Sequence, residues 1–171
     1  MLKKRFLTMD PGIKNCCVIL WENNELKSIL RINFLDTLKY RKNSSLTWLR
    51  KKIETWGKNN AELCTSMKCE TIYIEQPIFL KWINIANIIS NLFANKKEWI
   101  PLTYRKDCIP NWKCTNNYKQ RKRAAINYVH SLTNLQNYYD TYCIYDNTLN
   151  KNKKDDICDA IIIGKYVIEN F

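Results

Sequence analysis

Two apolar runs that each end on an acid, and one that begins on a pair of acids, constrain this chain more than any other feature. Phe6-Leu-Thr-Met-Asp10 is stopped by Pro11-Gly12, and Thr71-Ile-Tyr-Ile-Glu75 by Gln76-Pro77. Short runs rich in β-branched and aromatic residues, closed by turn formers, read as strands. Asp156-Ile-Cys-Asp159-Ala-Ile-Ile-Ile163 reads as a helix, in which residues i and i+3 share a face. An acid that closes an apolar strand costs burial energy unless it is paired or metal-bound. The fold must therefore bring strand ends and a helix start to one place and put positive charge there.

The order of elements makes that meeting possible. Strand-like runs at about 5–10, 15–22 and 27–34 are separated by Pro11-Gly12 and Asn23-Asn24, the pattern of an antiparallel meander. Ser44 or Ser45 is a suitable N-cap for a helix running to about Gly57, with Leu46, Leu49, Ile53 and Trp56 along one side. A strand at 70–75 follows, and a strand–helix–strand passage favours a parallel return to the sheet. That return places Glu75 at the same end as Asp10. A helix at 80–95 carries a broad apolar band (Ile85, Ile88, Ile89, Leu92, Phe93), read as deep burial in preference to a face shared with a second copy. A strand at 98–103, a Cys/Trp/Asn-rich loop, a basic helix from about Tyr118 to Leu132, a loop over 138–152 and a closing helix at 155–169 complete a single domain, 1–171.

Charge then names a class of partner. The chain carries 28 Lys and Arg against 16 Asp and Glu, a net charge of +12, which favours phosphate-rich partners. Lys119, Arg121, Lys122 and Arg123, and Lys151, Lys153 and Lys154, are candidate phosphate contacts; each stretch is also readable as a solvated face. Taken singly, Asp10 can be a turn residue, and Asp156 and Asp159 favourable charge at a helix start. Together Asp10, Glu75, Asp156 and Asp159 make an all-oxygen set suited to Mg²⁺, with Mn²⁺ able to substitute. Two such ions about 3.5–4 Å apart can activate water and stabilise a departing oxyanion in phosphodiester cleavage. One histidine, no Gly-x-Ser-x-Gly and no Gly-x-x-x-x-Gly-Lys argue against a serine hydrolase or a P-loop enzyme.

Eight cysteines, at 16, 17, 64, 69, 108, 114, 143 and 158, include no Cys-x-x-Cys pair and have a single His130 beside them, which argues against zinc. They read as reduced structural thiols, with Cys108 and Cys114 the only pair of interest. No apolar run reaches the roughly 18 residues of a membrane span, and Phe6 to Met9 is too short for a signal sequence. An intracellular protein without a membrane partner is expected.

Asp10-Pro-Gly-Ile-Lys-Asn15, Ile74-Glu75-Gln76-Pro77 and Asp156-Ile-Cys-Asp159-Ala160, in that order and spacing, resemble the RuvC-type Holliday junction resolvases. The nearest flavour is the poxvirus and large-DNA-virus branch, akin to the mitochondrial resolvases of fungi, and the likeness spans nearly the whole chain. It implies an α/β, RNase H-like fold with a five-stranded mixed sheet flanked by helices. It implies two Mg²⁺ on Asp10, Glu75, Asp156 and Asp159, and a homodimer making paired nicks in branched, four-way DNA. The setting it implies is recombination or viral concatemer resolution, in the host cytoplasm. The family's Asp-x-x-Asp-Ala spacing selects Asp156 and leaves Asp155 as a helix N-cap. Lys119, Arg121, Lys122 and Arg123 match the family's basic, phosphate-contacting helix start. Phe79 lies near where bacterial members stack an aromatic on junction bases, with Pro77 as an extra residue before it. Trp82, Trp99 and Trp112 read as core or interface. Other RNase H-like nucleases, acting on RNA–DNA hybrids or in transposition, are the main alternative. A non-catalytic nucleic-acid binder would gain nothing from the acids. Actin/Hsp70-like ATPases share the Asp-x-Gly turn but need two lobes and a glycine-rich loop, against 3 Gly here.

Overall fold

The structure, a computed structural model, describes residues 4–36, 41, 43–110, 112 and 117–171. Strands β1 (Arg5–Asp10), β2 (Cys16–Glu22) and β3 (Glu25–Ile32) form the expected antiparallel meander, β3 starting two residues early. Asn23 and Asn24 take φ of 53° and 67°, the left-handed pair that lets a two-residue turn follow the twist of its strands. Helix α1 (Leu46–Asn59) starts where the Ser45 hydroxyl accepts the Trp48 N–H at 3.2 Å, and it buries Leu49, Ile53 and Trp56. A helix that the sequence pattern did not indicate, α2 (Ala61–Met67), leads into β4 (Cys69–Glu75), which lies parallel to β1. Helix α3 (Leu80–Phe93) passes without a loop into β5 (Ala94–Ile100), parallel to β4. The expected 98–103 strand thus begins four residues earlier, on the exposed Asn95 and Lys96, where an edge strand shows no alternation to read.

After β5 come α4 (Tyr104–Cys108), α5 (Tyr118–Leu132), α6 (Leu135–Tyr142), β6 (Cys143–Asp146) and α7 (Asp155–Asn170). The loop expected over 138–152 is therefore partly wrong. It holds the end of α6 and all of a sixth strand, and the sheet has six strands in the order β5-β4-β1-β2-β3-β6. Strand β6 is only four residues long and survives by pairing parallel to β3; so short a strand has no pattern of its own. Three of the four tyrosines of this stretch, Tyr138, Tyr139 and Tyr142, pack partly buried against the core under α7, and Tyr145 packs on the α1–α3 side.

Alternation along the strands divides the core in two. Leu7, Met9, Val18, Leu30, Ile32, Ile72 and Ile74 face α1–α3. Phe6, Cys17, Ile19, Ile29 and Tyr73 face α4–α7. The apolar band of α3 is spent inside the chain, with Ile85, Ala86, Ile88, Ile89 and Phe93 all buried. Trp82 and Trp99 pack partly buried on the α1–α3 side and Trp112 on the other. The described cysteines are free thiols, all but Cys143 buried, and burial lifts Cys158 to about 12; Cys114 lies outside the described residues. Among the described residues no helix is long and apolar enough to cross a membrane.

Helix α7 crosses β1, β2 and β4 at close range. The buried Thr8 hydroxyl donates to the Ala160 carbonyl at 2.9 Å and accepts the Trp21 indole N–H at 2.9 Å. A Cβ on Gly164 would lie 2.2 Å from the Trp21 ring, so glycine is required there for contact. Gly164→Ala should cost about 1–3 kcal/mol through overpacking, read as a lower urea midpoint; an unchanged midpoint would show that α7 can lift freely.

Candidate active site

The alternation that builds the core also gathers the polar groups. On β1 the residues facing α7 are Phe6, Thr8 and Asp10; on β4 they are Tyr73 and Glu75; on β3, Ile29 and Arg31. Register aligns them across the sheet: Glu75 beside Ile100, Asp10 beside Cys17, Cys17 beside Arg31, and Arg31 beside Asp146. The first turns of α7 lie over this row and bring Asp155, Asp156 and Asp159, all buried, where the helix dipole also favours negative charge.

Asp10, Glu75 and Asp159 line one cleft of about 430 Å³, together with Arg105, Tyr118, Arg121, Lys122, Leu102, Ile78 and Trp112. Glu75 accepts from Arg105 Nη1 at 2.8 Å and from the Tyr104 hydroxyl at 3.1 Å. Asp159 meets the other arm of the same guanidinium, Nη2, at 3.1 Å, and Lys122 Nζ at 3.7 Å. Lys122 also donates to Asp155. These acids hold both cations firmly protonated: burial would lower Arg105 and Lys122, but Asp159 with Glu75, and Asp155 with Asp159, raise them above their ordinary values. Burial and the neighbouring Glu75 likewise push Tyr104 upward and keep its hydroxyl a donor.

Asp10 is different. Among the described residues no side chain donates to its carboxylate. Burial first, and then Asp159, Asp156 and Glu75, hold it well above the usual carboxylate range, which Lys122 offsets only in part. Ionised, it stands among like charges with no cation bonded to it among the described residues.

Asp156 has its cation already. Arg31, fully buried, grips it with Nε to Oδ2 at 3.0 Å and Nη2 to Oδ1 at 3.0 Å, and reaches Asp146 with Nη1 at 2.9 Å. Burial pushes Asp156 upward and the Arg31 fork pulls it partly back. Asp146, also held by Thr148, Lys151 and Tyr139, is drawn down to about 2 against the opposing effect of burial. Asp156 consequently stands at the edge of the acidic group and does not line the cleft. Asp155 is not the N-cap expected from spacing. Lys154 holds that position without a side-chain bond, and Asp155 is the first helical residue, paired with Lys122.

The expected phosphate contacts fall into two sets. Lys119, Arg121 and Arg123 are exposed on the first turns of α5, opened by the Asn117 cap, with Arg121 at the cleft. Lys122 turns inward to the acids. Lys151 pairs with Asp146 at 2.9 Å, Lys153 nears Asp155 at 3.9 Å, and Lys154 sits 4.8 Å over the Tyr139 ring. Phe79 is 69% exposed between Ile78 and Leu80, at 74% and 71%. With Trp82 and Leu102 it lines an apolar rim that runs on from Asp10 and Glu75. Sequence reasoning missed Arg31, Tyr104, Arg105 and Asp146. Only Arg31 carried a signal, a charge inside the apolar run Ile29-Leu-Arg-Ile32, which demands a buried partner.

Hard oxygen donors around an Asp10 that no described side chain bonds suit a divalent cation such as Mg²⁺ or Mn²⁺. Among the described residues no three acidic, thiol or imidazole groups are drawn together as a ready-made ion shell. Arg105 and Lys122 stand among the carboxylates instead.

The family model described as Poxvirus A22 protein matches residues 6–170. Among solved structures, T. thermophilus RuvC in complex with Holliday junction substrate is similar at a TM-score of 0.50 and 8% identity, covering 95% of this chain and 90% of that one. The yeast mitochondrial Holliday junction resolvase Ydc2 is similar at 0.53 and 11% identity, covering 95% and 78%. At these identities the likeness is one of fold: a mixed sheet flanked by helices, of the RNase H-like kind. Comparison with curated proteins found no significant match.

Two measurements test the electrostatics. Arg31→Met leaves Asp156 and Asp146 buried without their shared cation and should cost about 3–5 kcal/mol in denaturant unfolding; a loss below about 1 kcal/mol would mean the network is wet. In EDTA at pH 8, Asp10→Asn should melt about 2–4 °C above wild type. Because burial and like charge raise Asp10 in the folded state, its ionised form costs stability above that raised value. The cost disappears as pH falls and the folded protein takes up the proton first. The gap should therefore narrow in acid, and a variant that melts lower at pH 8 would contradict the assignment.

Proposed function

The chain belongs to the poxvirus A22 protein family, and from that premise we propose that it is a Mg²⁺-dependent endonuclease that resolves four-way DNA junctions. The observation that carries this reading is the cleft itself: Asp10, Glu75 and Asp159 converge beside exposed cations in a chain of net charge +12. The fold likeness to RuvC in complex with Holliday junction substrate and to the Holliday junction resolvase Ydc2 supports the substrate class.

In this reading Asp10, Glu75 and Asp159, carried by three different elements, would hold the metal. Asp156, fixed by Arg31, would extend the set at its edge through the lone pairs that the guanidinium fork leaves free. Bound divalent cations would supply the charge that activates water and neutralises the leaving oxygen at neutral pH. The chain's own part is positioning. Strand ends fix Asp10 and Glu75, α7 fixes Asp159, and the apolar rim of Ile78, Phe79 and Leu102 borders the same cleft. Phe79 there offers an aromatic face to an unpaired base. Lys119, Arg121 and Arg123 supply sequence-independent attraction for the DNA backbone that weakens with salt, and Lys151, Lys153 and Lys154 extend it over the start of α7. Homodimerisation, which would put two clefts on one junction, and action in the host cytoplasm belong to the same proposal.

The test is cleavage of a four-way junction, a linear duplex and an RNA–DNA hybrid, each with Mg²⁺ or EDTA. Paired nicks in the junction alone, requiring Mg²⁺, are expected. Equal cutting of all three substrates would remove the resolvase reading, and preference for the hybrid would replace it. Asp159→Asn should still bind the junction while cutting it about a hundredfold more slowly or worse.

A further inference from the structure

Arg105 occupies a position that the metal reading does not explain. It projects from α4, a single short turn after β5, and its fork spans two carboxylates from different elements: Glu75 on β4 at 2.8 Å and Asp159 on α7 at 3.1 Å. The Tyr104 ring lies 4.8 Å beneath the guanidinium, and the Tyr104 hydroxyl holds the second oxygen of Glu75 at 3.1 Å. The side chain of Arg105 remains 21% accessible from the cleft. A planar guanidinium is well shaped to bridge two acids in this way. Those two acids, with Asp10 beside them, are also the ones a hard cation would require.

The two demands conflict. Each oxygen engaged by Arg105 has a lone pair committed to it, and the positive guanidinium opposes a second cation between the same two acids. The contrast with Arg31 is instructive: Arg31 is fully enclosed and grips Asp156 with both oxygens, so it cannot leave. Arg105 is open to the cleft, rides on a five-residue helix, and takes one oxygen from each of its partners. Lys122 does not duplicate it, since its direct bond goes to Asp155 and it stands 3.7 Å from Asp159.

We propose that Arg105 is an internal counter-ion, a latch that holds Glu75 and Asp159 together in the metal-free protein and competes with a divalent cation for them. The inference rests on the metal-dependent reading above. It makes Arg105 a positioning residue that sets the metal concentration at which the site fills. In the metal-free state the latch prevents the acids from driving one another apart, and on metal entry it yields a free guanidinium beside the path of an anionic substrate.

The experiment is titration of the full chain with Mn²⁺, followed by the spectroscopic signal of the free ion, beside thermal unfolding in EDTA. Arg105→Gln should bind Mn²⁺ about ten-fold more tightly than wild type and melt lower in EDTA. Arg105→Lys, which keeps the charge but cannot fork, should fall between them. Asp10→Asn should bind Mn²⁺ more weakly. A residue with a merely structural role would weaken metal binding when removed, so the sign of the change decides. If Asp10→Asn weakens binding while Arg105→Gln and Arg105→Lys bind no more tightly than wild type, the latch is wrong and the metal reading stands. If Asp10→Asn and wild type bind alike, or wild type and both Arg105 variants bind no Mn²⁺, the metal reading fails and the latch with it. Should Arg105→Gln not fold, Arg105→Lys carries the same comparison.

Discussion

The chemistry of this cleft depends on how closely α7 lies on the sheet. A helix separated by a full layer of large side chains would hold its first-turn acids too far from the strand ends to share anything with them. Here Ala160 and Gly164 face the sheet, the Thr8 hydroxyl reaches the Ala160 carbonyl, and the Trp21 ring fills the place of a side chain at Gly164. That contact sets the height of α7. Asp156 then falls onto Arg31 and Asp159 into the cleft of Asp10 and Glu75.

A concentration of acids this dense must be neutralised, and the chain does so in two ways. Arg31 is a permanent counter-charge, enclosed and bonded on every side. Such a pair contributes little net stability compared with apolar residues of the same volume; what it provides is a fixed orientation for Asp156. Arg105 and Lys122 are counter-charges of another kind, reachable from solvent and divided between partners. Asp10 has neither. The acidic row is thus neutral at its β3 edge and short of positive charge at its centre, which is where a divalent ion has the most to gain. Around it, the exposed cations of α5 present the opposite sign to any approaching polyanion.

Several features were readable before any coordinates because their causes are local. Asn23-Asn24 announces a two-residue turn, Ser45 announces the start of α1, and an acid closing an apolar run announces a strand end with a demand attached. Strand β6 and helix α6 were not readable, since a four-residue strand exists only by virtue of the β3 edge it pairs with. The inward turn of Lys122, inside a run that looks uniformly basic, was equally hidden. Its direction is set by the acids of α7, which are more than thirty residues away in the chain.

The sequence by itself determined which residues carry charge at the ends of which elements, and that the first three strands run antiparallel with Glu75 returning beside Asp10. Periodicity and turn chemistry act over a few residues, so they are written locally. Only the tertiary structure decided how the charges pair: Arg31 with Asp156, Arg105 between Glu75 and Asp159, Lys122 with Asp155, and Asp10 with no side chain among the described residues. Pairing depends on through-space distance and on the height at which α7 packs, and neither quantity has a local signature in the chain.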